Sequence, residues 1–380
     1  MQAFVRQSDR AGDTHVREVD PPTPGPGEVL VRVAACGLCG SDIHAVHADP
    51  GFEFVKVPVV LGHELSGSVE QVGPGVDDLP PGTGVVVVSI QGCGSCPTCL
   101  AGDTQLCTDR HIHGLHHDGG LAELTVVARR HLVRVPAGLD LRTAALAEPL
   151  SVAVHATLDR AAIRPGTRVV VTGPGPIGLF CARLALLSGG DVLLLGTSAD
   201  AEQRLPLGAR FGVRTDVLAP DRTAGDAISA VWGPRAPDAW IEASGSVAAL
   251  SAAVEQVRPG GEITVVALFA RPLSLVVTDA VRRELSIRFS YASRYPEYLV
   301  ALDLLASGAV DGAAVVTTFP LARAAEALAA AEQQRVVKPL VLPGPDQPAS
   351  ARPAPGESAT AQPAKVGSGS PGTSTATVNR

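Results

Sequence analysis

The spacing of hydrophobic positions changes near residue 140. Before that point, short apolar runs alternate with polar residues between turns rich in Gly and Pro, which predicts β-strands. The clearest predicted strands are Glu28–Val33, Leu65–Val72 and Val85–Ile90. Short strands of this kind predict a mostly β first domain, folded as a small antiparallel barrel or sandwich.

From Leu141 onward, Ala- and Leu-rich helical stretches alternate with runs of β-branched residues, which predicts a parallel β/α series. The predicted strands are Arg168–Thr172, Asp191–Leu195, Ala239–Glu242 and Glu262–Val266. A helix at Glu297–Leu305 and strands at Val315–Phe319 and Val336–Val341 follow. Residues 343–380 are mainly Pro, Gly, Ala, Ser and Thr and cannot bury enough apolar surface to offset ordering, so a disordered tail is predicted.

The length of 380 residues exceeds what one core usually supports and predicts two domains. With 31 basic and 38 acidic residues the net charge is -7. The chain has no basic block, which disfavours binding to nucleic acid or to an anionic membrane. The N-terminus lacks a secretion signal and no apolar run reaches membrane-span length, which predicts a cytoplasmic protein. In a reducing compartment, seven cysteines, five of them closely spaced, indicate metal more than disulfides.

The stretch from Cys36 to Glu64 carries the candidate chemistry. Cys39, His63 and Glu64 are the thiolate, imidazole and carboxylate that bind zinc where a catalytic site keeps one position open. The alternative is a redox dithiol of Cys36 and Cys39, a motif that belongs at the start of a helix after a strand. Because Gly40–Asp42 follow without a helical apolar pattern, we predict a ligand role for Cys39, and Cys36 is expected to be a small buried hydrophobe.

A second group of thiols predicts a structural metal site. Cys93, Cys96, Cys99 and Cys107 lie at short intervals among Gly and Pro, so they can surround one tetrahedral ion without a vacant position. A nucleic-acid zinc ribbon would carry two separated cysteine pairs and basic neighbours, and this segment has neither. The following run, His111–His117, is expected to be solvated or hydrogen-bonded rather than a third metal site.

Glu148 precedes Pro149 in an otherwise apolar run. Burying such a carboxylate is costly without a partner, which a metal would supply. A partly exposed acid at a helix end explains the residue equally well.

The sequence Gly173-Pro-Gly175-Pro-Ile177-Gly178 lies between a β-branched strand and an apolar helix. In that context the first glycine makes a turn, the second admits a pyrophosphate and the third allows close packing of helix on strand. The amides at the helix N-terminus would bind the phosphates. The motif therefore predicts a dinucleotide site.

The next strand does not end in the acidic residue that holds the ribose hydroxyls of NAD. Thr197 and Ser198 stand there instead, with Arg204 on the next helix. Small hydroxyl side chains leave room for a 2′-phosphate that Arg204 would neutralise, which favours NADP. Asp200, if it folds back, would serve NAD instead.

Together these motifs resemble the zinc-containing medium-chain alcohol dehydrogenases, most of all the sorbitol and polyol dehydrogenase branch, over residues 1 to about 342. The resemblance implies an α/β protein with a mostly β, GroES-like catalytic domain (1–152, completed by 289–342). It also implies a Rossmann cofactor domain with a doubly wound parallel sheet (153–288). A homo-oligomer, dimer or tetramer, is expected from the same resemblance.

The resemblance also implies roles for individual residues. Cys39, His63 and Glu64 would bind catalytic zinc, with Glu148 as a fourth ligand or as the holder of the metal's water. Ser41 would hydrogen-bond the substrate hydroxyl and His44 would relay its proton. Ser244–Gly245 and Leu268–Phe269 would flank the nicotinamide, and the four clustered cysteines would hold the structural zinc.

The predicted function is zinc-dependent hydride transfer between a secondary alcohol or polyol and NAD(P), in which zinc acts as the Lewis acid. Zinc-free reductases of the superfamily lack the Cys, His and Glu set found here. A dinucleotide-sensing binding protein, with zinc only as a staple, is the non-catalytic alternative. Ser290 stands where sorbitol dehydrogenases tend to carry Arg, so other secondary alcohols and amino-alcohols stay open as substrates.

Overall fold

The computed structural model describes residues 1–269 and 271–344, so the predicted tail lies outside the described residues except for its first two positions. Ten strands precede residue 140: β1 Gln2–Arg6, β2 Thr14–Glu18, β3 Glu28–Gly37, β4 Val59–Val60, β5 Glu64–Val72, β6 Gly84–Val87, β7 Ile90–Gln91, β8 His111–Ile112, β9 Leu124–Ala128 and β10 Leu132–Arg134. Four short helices fall within or just after them: α1 Gly40–His47, α2 Pro97–Leu100, α3 Leu141–Ala144 and α4 Ala147–Val154.

Strand β3 lies at the centre of the first sheet. The order of strands in this sheet is β10-β6-β5-β3, followed by two strands from the end of the described chain, and β9 also pairs with β3. β3 and β5 run antiparallel, with Gly37 opposite Glu64. This register brings the residues just after β3 next to the residues just before β5, so Cys39 and His63 meet although they are distant in sequence.

The Rossmann-like part contains six parallel strands and five helices: β11 Arg168–Thr172, α5 Pro176–Leu187, β12 Asp191–Thr197, α6 Arg204–Arg210, β13 Arg214–Leu218, α7 Ala224–Trp232, β14 Ala239–Glu242, α8 Val247–Gln256, β15 Glu262–Val265, α9 Val277–Arg282 and β16 Ser286–Phe289. The sheet order is β13-β12-β11-β14-β15-β16. The chain reverses its winding direction between β11 and β14, the switch point at which doubly wound sheets bind ligands.

The final elements return to the first sheet. They are α10 Tyr295–Ala306, β17 Val316–Pro320, α11 Ala324–Glu332 and β18 Lys338–Leu342. β18 pairs with β3 at Gly37 and Cys36 and runs parallel to β17. The fold class predicted from the sequence is therefore confirmed, whereas the exact domain boundaries stay a prediction. Among the described helices, none has the length and apolarity to cross a membrane.

The expectation that no helix follows Cys39 is wrong. Helix α1 begins at Gly40, directly after β3. Its first turn is held by the Asp42 carboxylate, which accepts the Cys39 backbone N–H at 2.9 Å, rather than by an apolar stripe. The strand-to-helix context of a redox dithiol is thus present. The choice between a redox pair and a metal-ligand role for Cys39 therefore depends on the environments of Cys36 and Cys39.

Candidate active site

Cys39, His63 and Glu64 converge in the structure. One ligand atom from each lies within 4.8 Å of the other two, and His63 and Glu64 are buried. A sulfur, a nitrogen and an oxygen donor at these separations fit zinc, and three protein ligands leave one position for substrate or water.

Cys36 and Cys39 lie in different environments. Cys36 is completely buried within the hydrophobic core of the first sheet, and burial, followed by the charges of Asp42 and Glu64, raises the pKa of its thiol well above the usual value. Cys39 is partly exposed and faces His63. Cys39 therefore joins the metal donors and Cys36 packs in the core, which favours the ligand interpretation of Cys39 over a redox pair.

Asp42 orients the imidazole of His63. Its Oδ1 lies 3.6 Å from His63 Nδ1, while Ser41 Oγ lies 3.3 Å from Nε2. A carboxylate at one ring nitrogen directs the other towards a metal. Burial opposes protonation of the ring, but the Asp42 carboxylate and Cys39 outweigh it and raise the pKa of His63 well above its usual value. Sequence reasoning did not select Asp42, because its place at the third position of a helix shows only once α1 is known.

Glu64 has a buried cationic partner that the sequence analysis missed. Lys338, from β18, forms an ion pair with the Glu64 carboxylate and donates to the Leu38 carbonyl at 2.9 Å. Burial opposes the charge of Lys338, but Glu64 and Cys39 raise its pKa above the usual value. A Cβ at Gly37 would overlap the Glu64 carboxylate, so glycine is needed to admit the pair. The only local signal for Lys338 is a lysine inside an apolar strand.

Glu148 lies in the first turn of α4 and is buried, so it is not the partly exposed acid considered as the alternative. Its Oε1 accepts a hydrogen bond from Ser89 Oγ at 2.8 Å, and the Ser89 N–H donates to the Tyr298 hydroxyl at 3.0 Å. Burial, together with the charge of Glu64, raises the pKa of Glu148 to about 7. It lies near the Cys39, His63 and Glu64 set but outside the group whose donor atoms are within 4.8 Å.

The second thiol group also converges. Sγ atoms of Cys93 and Cys99 are 4.0 Å apart, those of Cys96 and Cys107 are 3.8 Å apart, and all four lie within 4.8 Å of one another. Backbone N–H groups of Ser95 and Cys96 lower the pKa of Cys93 to about 6. Four sulfurs at these separations, with backbone amide donors to Cys93, Cys96 and Cys107, fit a closed tetrahedral zinc site.

Three of the neighbouring histidines are hydrogen-bonded to protein groups. His113 Nε2 lies 3.3 Å from Thr125 Oγ1, and His117 Nε2 lies 3.2 Å from Gln91 Oε1. His116 Nδ1 accepts the Ile112 N–H at 3.1 Å. Within the described residues, none of these imidazoles joins a group of three or more potential ligands.

The glycine-rich loop lies at the switch point of the parallel sheet. Gly173 has φ +88°, and an added Cβ would clash with Ser244, in the loop after β14. A Cβ on Gly178 would overlap the Gly173 carbonyl, whereas one on Gly175 would meet open space. Ile177 packs against the core behind the loop. The open backbone at the N-terminus of α5 fits a pyrophosphate.

The predicted neighbours of the nicotinamide lie together. A Cβ at Gly245 would come 2.7 Å from the Leu268 carbonyl, so the loops after β14 and β15 are adjacent. Ser244 donates its backbone N–H to Glu242 Oε1 at 2.8 Å, and the Leu268 side chain is 68% exposed.

At the end of β12, the Asp200 carboxylate is hydrogen-bonded to neighbouring groups of the chain. Its Oδ2 accepts from Thr197 N at 2.9 Å and from Thr197 Oγ1 at 3.0 Å, and its Oδ1 lies 3.3 Å from Arg204 Nη1. Arg204 Nε is buried and has no hydrogen-bond partner among the described residues. Ser198 begins the short 3₁₀ turn between them.

Comparison with known proteins agrees with this organisation. Residues 25–137 match the family model of the alcohol dehydrogenase GroES-like domain, and residues 176–307 match that of the zinc-binding dehydrogenases. The chain is 33% identical to a sorbitol dehydrogenase of Halalkalibacterium halodurans, over 90% of this chain and 99% of that protein. It is 31% identical to an L-threonine 3-dehydrogenase of Saccharopolyspora erythraea, over 89% and 98% of the two chains.

A solved structure from Sinorhizobium meliloti 1021, assigned as a zinc-binding dehydrogenase and bound to NADP, superposes with a TM-score of 0.81. It is 32% identical and covers 90% of this chain and 99% of its own. Matching domains, matching length and a convergent donor set all point the same way. The chain belongs to the zinc-containing medium-chain alcohol dehydrogenase superfamily, in its sorbitol and polyol dehydrogenase-like branch.

Proposed function

We propose that this enzyme transfers a hydride between a secondary alcohol or polyol and NADP, with Cys39, His63 and Glu64 as the catalytic zinc ligands. The observation that carries the proposal is the convergence of these three donors within 4.8 Å. Helix α4 links them to the cofactor loop, since it packs on α5 and contacts β5. No observation favours the non-catalytic binding protein considered from the sequence.

Zinc, when bound, supplies a Lewis acid that favours loss of the proton from an alcohol hydroxyl. The chain's own residues do the rest. Asp42 holds the His63 ring in place, and Ser41 offers its hydroxyl beside His63 Nε2 to the substrate hydroxyl. His44 passes the released proton to solvent. Glu148, buried behind this set, stays a proposed fourth ligand or a holder of the metal's water.

The preference for NADP is supported by the end of β12. Asp200 directs both carboxylate oxygens to Thr197 and Arg204, which disfavours a reorientation towards the ribose hydroxyls of NAD. Arg204 keeps an unpartnered Nε beside this turn. A guanidinium and small hydroxyl groups suit a 2′-phosphate.

The substrate class is proposed from the relatives and from one local difference. Ser290 is 7% exposed, and its hydroxyl has no hydrogen-bond partner among the described residues. We propose polyols first, with amino-alcohols as the second class, since relatives are named for sorbitol and for L-threonine. Initial rates across a panel of both classes with both dinucleotides test this assignment.

The catalytic assignment is tested with Cys39→Ala, which should abolish nicotinamide reduction while dinucleotide binding persists. Cys181→Ala, at a buried cysteine of α5 outside both thiol groups, is the matched control and should retain activity. Retained turnover in Cys39→Ala would contradict the proposal.

We also propose a homo-oligomer that forms through β16, in the cytoplasm. β16 ends the six-stranded sheet, and four apolar side chains in β16 or in the segment that precedes it in the chain are more than 60% exposed: Val276, Val277, Val281 and Phe289. An unpaired strand edge beside apolar side chains favours association. Light scattering of Phe289→Asp, compared with the unchanged chain, tests the assembly.

The seven cysteines, all free in the structure, fit a reducing compartment.

A further inference from the structure

His44 is held by a carboxylate that follows its own helix. Helix α1 ends at His47, and Ala48 adopts a left-handed conformation with φ 54° that turns the chain back. The backbone N–H of Asp49 then donates to the His44 carbonyl at 3.1 Å, and Asp49 Oδ2 lies 2.7 Å from His44 Nδ1. The two side chains are 43% and 41% exposed, so the pair also reaches solvent.

Phe52 fixes the ring from a second direction. Its ring stacks on the His44 imidazole with centroids 5.1 Å apart and an interplanar angle of 30°. The Phe52 N–H donates to the Asp49 carbonyl at 3.1 Å, so one turn carries both partners of His44. A carboxylate at one ring nitrogen and an aromatic ring stacked on the imidazole together restrict the rotation of the His44 side chain.

The bond to Asp49 determines which ring nitrogen carries the proton. An ionised carboxylate only accepts hydrogen bonds, so Nδ1 of the neutral ring must be the donor. Nε2 is then the nitrogen with a free lone pair, and it makes no hydrogen bond to another described residue. The same logic places an acid behind the histidine of a catalytic triad.

The geometry points to Asp49 as a positioning residue that keeps His44 in the tautomer whose Nε2 accepts the proton released on alcohol oxidation. This inference rests on the proposed function. The alcohol gives up its C–H as hydride to the nicotinamide and its O–H as one proton. His44 Nε2 takes that proton, the imidazolium forms beside the Asp49 carboxylate, and the exposed ring then returns the proton to water.

Other titratable groups near α1 have separate partners. Asp42 faces His63 and the Cys39 backbone. Glu332, on α11, which packs against α1, lies 3.0 Å from His47 Nε2. His47→Gln is therefore a control for the effect of a second imidazole on the same helix.

The decisive measurement is solid-state ¹⁵N spectroscopy of the zinc-loaded, histidine-labelled enzyme, with the His44 signal assigned by its loss in His44→Gln. We expect a protonated Nδ1 and a bare Nε2 in the unchanged enzyme, and a shift towards the opposite tautomer in Asp49→Ala. Asp49→Asn, which keeps an acceptor, should hold the original tautomer. Glu53→Ala, at an exposed carboxylate of the same loop that contacts Gly51, should change nothing.

Kinetics then separates the inference from the proposed function. Asp49→Ala should lower kcat/KM for oxidation about tenfold, part of what a positioned proton acceptor contributes, with unchanged dinucleotide affinity and a displaced acid limb of the pH profile. If His44→Gln is fully active, the proposed relay itself fails. If His44→Gln is impaired but Asp49→Ala keeps the tautomer and the rate, Asp49 has no positioning role.

Discussion

Lys338 and Glu64 form an ion pair in which the two side chains are only 3% and 2% exposed. The lysine begins β18, the last described strand, and the glutamate begins β5, directly after His63. One carboxylate therefore has two possible cationic partners, a lysine of the chain and a metal ion.

We predict that Lys338→Met destabilises the metal-free protein by about 3–5 kcal/mol, because it leaves Glu64 charged, buried and unpaired. Urea unfolding of metal-free protein measures the loss. Addition of zinc should recover part of it, since a bound cation compensates the same charge. Arg32→Met, which breaks an exposed ion pair with Glu70, is the control and should cost much less. Equal losses in the two variants would argue against a special role for the buried pair.

Metal content should separate the two thiol sites. The unchanged protein is expected to hold two zinc ions per chain, Cys39→Ala one and Cys96→Ser one, because each variant removes a ligand from a different group. Cys96→Ser should also lower the midpoint of thermal unfolding, since a closed zinc site contributes directly to folding. Emission spectrometry of dialysed protein gives the count. A Cys39→Ala protein that still holds two ions would disprove the assignment of the catalytic ligands.

Arg204→Ala should lower kcat/KM with NADP about 10- to 100-fold, the effect expected when one hydrogen bond to a charged group is lost. Values with NAD should change little, because NAD lacks the 2′-phosphate. Arg210→Ala is the matched control, since Arg210 lies on the same helix and pairs with Asp311. A marked NAD preference in the unchanged enzyme would refute our interpretation of Thr197 and Arg204.

Acid should destabilise the fold through buried imidazoles. Burial, followed by the charge of Arg130, lowers the pKa of His131 to about 4, and burial also lowers the pKa values of His113 and His117. The unfolded chain binds protons at these groups from about pH 6.5 downward, whereas the folded chain does not, so stability is complete above pH 6.5 and falls as the pH approaches 4.

His131 alone accounts for up to about 3 kcal/mol of this loss, at about 1.4 kcal/mol for each unit of pKa. Urea midpoints measured between pH 7 and pH 4.5 should therefore fall less steeply for His131→Gln than for the unchanged protein. His15→Gln, at an exposed histidine that lies 3.1 Å from Asp13, provides the comparison and should change the slope less than His131→Gln does. Identical slopes in all three proteins would show that His131 is not held neutral by the fold.

Sequence reasoning selected the donor residues because their chemistry is local. Cys39, His63 and the four clustered cysteines are recognisable by residue type and spacing, and Gly173 to Gly178 by position between strand and helix. The residues that support them were not selected. Lys338 reaches Glu64 through strand pairing, and the role of Asp49 depends on the left-handed Ala48, neither of which a local pattern reveals.

Helix α1 was missed for a related reason. Its eight residues have little apolar periodicity, and two of them, Ala45 and Val46, place buried apolar side chains in the core. The hydrogen bond from the Cys39 N–H to Asp42 helps to secure its start, whereas hydrophobic spacing identifies longer helices that bury a wider apolar face.

The insertion of β18 beside β3 sets an order of events during synthesis. A ribosome has already released Cys39, His63 and Glu64 long before it reaches Lys338, so the nascent carboxylate spends most of translation without its lysine. We therefore expect Glu64 to stay hydrated until β18 docks beside β3, so that burial of the carboxylate and arrival of its lysine happen in the same step.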